Sequence, residues 1–85
     1  MKHFEHVNRG TCSRGVAFDI DDEGRIRNVS FFGGCSGNTQ GVAALTEGMD
    51  AKEAAARMRG IRCGLRPTSC PDQLARGIEE ALAEN

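Results

Sequence analysis

Four cysteines, Cys12, Cys35, Cys63 and Cys70, are the side chains in this chain best suited to chemistry. Thiolates are soft ligands that bind zinc and nucleate iron–sulfur clusters. The same residues also serve as small buried apolar groups, because cysteine is among the most buried residue types. The compartment decides how an even number of them is read. Behind Lys2 the N-terminus runs His3-Phe4-Glu5-His6, with no apolar stretch, so it does not read as a signal peptide. No apolar run approaches the ~20 residues of a membrane span. The expectation is a cytoplasmic protein with reduced thiols, in which metal binding takes precedence over disulfides. No C-x-x-C is present and no zinc-ribbon spacing is matched, so a shared site has to be assembled by the fold.

Local sequence places each cysteine at a junction. Cys70 stands beside Pro71, which reads as the first residue of a last helix, where its missing N–H is no loss. A helix N-terminus carries partial positive charge, and a thiol there is more readily a thiolate. Cys35 lies in Gly33-Gly34-Cys35-Ser36-Gly37, just ahead of a helix whose N-cap reads as Asn38. Cys12 precedes a hairpin strand, and Cys63 sits in a loop over residues 62–68. A hairpin sets the start of its first strand beside the end of its second. Cys12 and Cys35 should therefore meet at one end of the sheet, with Cys70 and Cys63 joining them if the last helix docks there. These four are the candidate metal ligands. Asp72, in the first turn of the last helix, has three readings: it favours the helix dipole, supplies a fifth oxygen ligand, or holds a ligand loop in place.

The positioning elements follow from periodicity. Residues 2–7 read as a strand. Residues 14–20 alternate Val16, Phe18 and Ile20 with Gly15, Ala17 and Asp19, the mark of a half-buried strand. Asp21-Asp22-Glu23-Gly24 is a turn, and residues 25–32 are the returning strand. Ile26 and Val29 are an odd number apart, which predicts a bulge or a two-sided end. Val42, Leu45 and Met49 recur at helical spacing, and Gly48 marks a stop. Asp50 and Glu53 form a capping-box variant for a second helix with Ala51, Ala54, Ala55 and Met58 on its apolar face, and Gly60 ends it. Leu74, Ile78, Ala81 and Leu82 give the last helix a core face. The predicted fold is a single α+β domain: an antiparallel sheet, then three helices packed on one face.

Composition narrows the function further. Eleven Lys plus Arg against twelve Asp plus Glu leave a formal charge of −1, and there is no Trp or Tyr. That argues against nucleic-acid binding, which needs surplus positive charge and stacking platforms. An 85-residue chain has a thin core and gains from a metal or a partner. His3 and His6 would point to opposite faces of a strand and read as exposed surface. The Gly33–Gly37 stretch matches neither phosphate-binding glycine motif. Arg57, Arg59, Arg62 and Arg66 read as a solvated basic face, with an acidic partner as the alternative.

Thr68-Ser69-Cys70-Pro71-Asp72 spells T-S-C-P-D, and the chain resembles the TSCPD-domain family, in particular its short stand-alone members. The match extends over Gly10-Thr11-Cys12-Ser13, the segment from Phe32 to Asn38, Glu47-Gly48, and the block from Gly60 to Ala75. The resemblance implies association with ribonucleotide reductase: similar domains close cobalamin-dependent reductases, and stand-alone members are named ribonucleoside-diphosphate reductases. At 85 residues the chain is too short for the reductase barrel, so no complete enzyme is expected in it alone. A second, weaker resemblance is to the iron–sulfur cluster scaffold fold of the IscU/NifU type. It sets Cys12, Cys35 and Cys70 where that family has its three cluster cysteines. Arg14 and Ser69 replace the scaffold's Asp and His, and Cys63 is additional, which implies a four-thiolate site.

Three functions are expected on this basis. The first is a module binding zinc or an iron–sulfur cluster and serving a metal or cluster recipient. The second is a thiol-redox accessory of ribonucleotide reductase. The third is an interaction module with structural thiols.

Overall fold

Turn chemistry folds the N-terminal half into a meander. The computed structural model, which describes residues 1–34 and 36–84, has β1 (Lys2–Val7), β2 (Ser13–Ile20) and β3 (Ile26–Gly33) in one antiparallel sheet of order β1-β2-β3. Three helices follow: α1 (Ser36–Thr46), α2 (Ala51–Met58) and α3 (Cys70–Ala83). The fold is α+β, as expected. None of the described helices is long and apolar enough to cross a membrane.

The turn between β2 and β3 is built by Asp21. Its Oδ1 accepts the backbone N–H groups of Glu23 (2.9 Å) and Arg25 (3.0 Å), and Oδ2 accepts Arg27 Nε at 3.1 Å. These bonds hold the Asp21 carboxyl below its ordinary value, the Arg25 N–H contributing most and burial opposing. The anticipated bulge is present. Ala17 pairs with Ser30 but Asp19 with Arg27, so β3 carries one extra residue. Asn28 takes it up at φ +56°, its N–H donating to Glu47 Oε1 at 2.9 Å. The bulge returns Val29 and Phe31 to the side of Ile26, where they pack at the margin of the core.

Phe4 pairs with Phe18 in register, and their rings stack with centroids 5.7 Å apart. Val16, Phe18 and Ile26 from the sheet meet Leu74 and Ile78 from α3, all fully buried. α3 comes unusually near β1 at Gly77, where an added Cβ would lie 2.9 Å from His6 Cβ and 3.3 Å from Phe18 Cε1. His6 is consequently tucked in rather than exposed, bonded to Glu80 (2.9 Å) and Gln73 (3.1 Å). His3 is on the open face as expected, paired with Asp19 at 2.7 Å.

The helix boundaries differ from expectation in three places. α1 begins at Ser36, so Asn38 lies inside its first turn and is not its cap. α3 begins at Cys70, with Ser69 as N-cap accepting the Asp72 N–H at 3.2 Å, and Pro71 second. Leu45, read into one helical stripe with Val42 and Met49, is 79% exposed, while Thr39 and Thr46 are buried. Met49 lies past the end of α1 and is placed by backbone pairing with Ile26, so Val42, Leu45 and Met49 never formed one helical stripe. In α2 the Asp50 cap holds, its Oδ2 accepting Glu53 N–H at 3.1 Å. Glu53 does not reciprocate but pairs with Arg57 at 3.0 Å.

Candidate functional site

Chain reversals at one end of the sheet set three cysteines around one cavity. Cys12 ends the β1–β2 loop, Cys63 lies in the α2–α3 loop, and Cys70 is the first residue of α3. All three line one cavity of about 300 Å³, together with Asn38, Arg62 and Arg66. Cys12 and Cys63 are exposed, whereas Cys70 is only 4% exposed. Cys35, the fourth cysteine expected at the site, lies outside the described residues.

Cys70 is held by a buried polar cluster. Its Sγ is 2.9 Å from Ser13 Oγ, which accepts the Asn8 Nδ2–H at 2.8 Å. Thr11 Oγ1 donates to the Ser13 carbonyl at 2.9 Å and also lies 3.1 Å from Ser13 Oγ. With Thr11's single proton committed to that carbonyl, Ser13 has one proton to place, on Thr11 Oγ1 or on the sulfur. When Cys70 is a thiol it donates to Ser13, which turns to Thr11. When Cys70 is a thiolate or metal ligand, Ser13 can turn and donate to it. The cluster therefore accommodates both forms of the sulfur without an unpaired hydroxyl.

Cys63 is placed by its loop. Its N–H donates to the Thr68 carbonyl at 3.1 Å, and its carbonyl accepts the Arg66 N–H at 3.0 Å. This narrow turn over Gly64, at φ +57°, sets Cys63 and both arginines on the cavity wall. The loop is anchored by Asp72, which is 0% exposed. Asp72 Oδ1 accepts the Gly60 N–H at 2.6 Å, and Oδ2 accepts Thr68 Oγ1 and Arg76 Nε, the latter at 3.0 Å. Burial alone pushes this carboxyl up; the bonds from Thr68, Gly60 and Arg76 outweigh it and hold it below the ordinary carboxylate range. Of the three readings of Asp72, this geometry displays the loop anchor, and Asp72 does not line the cavity.

Among the described residues no three His, Cys, Asp or Glu side chains stand close enough to hold a metal ion together. The basic set divides. Arg57 pairs with Glu53, and Arg59 with Glu79 at 3.0 Å, but Arg62 and Arg66 have no ion pair among the described residues. A cavity of about 370 Å³ beside Gly33, Gly34 and Ser36 has, among the described residues, no charged side chain in its lining to neutralise a phosphate. Sequence reasoning missed Ser13 and Ser69. Ser69 was readable as a cap from Asp72 three residues on; Ser13 carries no local signal, since its partner Cys70 lies across the fold.

The family model described as TSCPD domain matches residues 1–82. Among curated proteins and among solved structures, none matches the chain.

Proposed function

The chain belongs to the TSCPD domain family, and we propose that it is a cysteine-site module that binds zinc or an iron–sulfur cluster through converging thiolates. The observation that carries this reading is the shared cavity of Cys12, Cys63 and Cys70, contributed by two loops and a helix start. Three thiols lining one cavity suit a soft cation, and Cys35 is the fourth thiol of the sequence. Ser13 is available to support Cys70 in the ligating form. Zn–S bonds are ~2.3 Å, so a bound ion would draw the exposed loop 62–67 inward until each sulfur lies within bonding distance of it. Elemental analysis and absorption spectra of untagged protein purified without oxygen test the reading. About one zinc per chain, or a visible thiolate-to-iron band, lost in Cys70→Ser and Cys63→Ser, is the expected result. Colourless protein that stays metal-free when zinc and iron are added would overturn it.

The exposure of Cys12 and Cys63 favours a second reading. Two accessible thiols at one cavity could form a disulfide while a partner's disulfide is reduced to two thiols, the partner being a ribonucleotide reductase, as the family resemblance implies. Oxidised protein that thioredoxin cannot reduce would remove this alternative.

A further inference from the structure

α1 packs chiefly on β3 and α2 chiefly on α3, which leaves a groove between the two pairs. Its volume is about 380 Å³, and Val42, Leu45, Met49, Met58, Ile61 and Pro71 are in its lining. Leu45 is 79% exposed and Ile61 44%, so large apolar side chains stand uncovered at its rim. Ile61 and Pro71 also line the thiol cavity, so the two depressions form one continuous surface. Among the described residues, no acidic side chain lines either of them. Arg57 is the one charged group of the groove, and Arg62 and Arg66 stand unpaired at the cavity among the described residues. An apolar trough that ends in two uncompensated guanidinium groups is complementary to a segment with apolar residues followed by carboxylates.

We propose that this surface docks an acidic, apolar segment of another protein, its apolar side chains over Leu45 and Ile61 and its carboxylates on Arg62 and Arg66. A second copy of this chain is a poorer occupant. Its acidic stretches are largely engaged within the chain: Asp21 on Arg27, Asp22 on the N-terminal amine, Glu79 on Arg59 and Glu80 on His6. Nucleic acid is disfavoured by the net charge of −1 and the absence of Tyr and Trp. The docking needs no metal, and so stands apart from the proposed ligation.

Displayed random peptides of about 12 residues, selected on the reduced protein against a Leu45→Glu/Arg66→Glu counter-target, test the proposal. The expected peptides combine Leu, Phe or Met with two or more Asp or Glu. As labelled synthetic peptides they should bind about tenfold or more weakly to Leu45→Glu and to Arg62→Ala/Arg66→Ala, and lose affinity with salt. These substitutions are at exposed positions, and circular dichroism verifies that each variant is folded. Binding is measured on reduced, metal-free protein with a chelator present, so that failure of this proposal is read separately from failure of the thiol reading. No enrichment over the counter-target, or enrichment of neutral or basic peptides, would overturn it. A dimer in sedimentation equilibrium that Leu45→Glu abolishes would also overturn it, by assigning the groove to a second copy.

Discussion

Asp72 shows how one buried carboxylate organises a site it does not line. Gly60, Thr68 and Arg76 all converge on its two oxygens, tying both ends of the cysteine-bearing loop to the first turn of α3. Asp72→Ala would leave those donors without their acceptor and should cost about 3 kcal/mol in urea unfolding, a typical loss for a broken buried charged network. The pH dependence has a definite sign. The folded-state pKa is depressed, so the contribution is complete above the unfolded value of about 3.9 and fades as pH falls through the lower folded value. Asp72→Asn should remove that part of the acid sensitivity, while the part owed to Asp19 and Asp21, whose carboxyls are also depressed, remains. Equal acid profiles for Asp72→Asn and the parent would contradict the assignment. The sequence showed Asp72 beside the helix start but not this role, because one of its partners is a backbone N–H twelve residues away.

At the scale of elements, periodicity was a good guide wherever packing enforced it. The extent of β1 was legible, and so was the bulge in β3, since Ile26 and Val29 share a face only if a residue is inserted between them. Leu45 was misread because its apparent stripe borrowed Met49, which belongs to a backbone pairing and not to the helix. Gly77 carried no signal at all, because its reason lies in the approach of α3 to His6 and Phe18. Gly77→Ala raises intrinsic helix propensity by about 1 kcal/mol yet inserts a methyl where no space exists. The clash should win, lowering stability by about 1–2 kcal/mol net in denaturant melts. A more stable Gly77→Ala protein would show that the contact between α3 and β1 is looser than described.

Across the whole molecule, the thiol cavity is a product of topology. The meander delivers Cys12 and Ser13, the α2–α3 loop delivers Cys63, and the start of α3 delivers Cys70 to the same end of the sheet. The family motif spans this assembly but names only one of its parts, the turn into α3. That Cys12, Cys63 and Cys70 would border one cavity was legible in the order of the elements; that the described thiols do not stand close enough to hold a metal ion together was not. The central claim is testable in solution. Cobalt(II) added to the reduced protein without oxygen reports on thiolate ligation directly, through sulfur-to-metal charge-transfer absorption and the strong visible bands of tetrahedral coordination. The account predicts both signals at about one cobalt per chain, weakened in each of Cys12→Ser, Cys63→Ser and Cys70→Ser and displaced by zinc. A spectrum that stays that of hydrated cobalt, in protein shown to be folded and reduced, would contradict it.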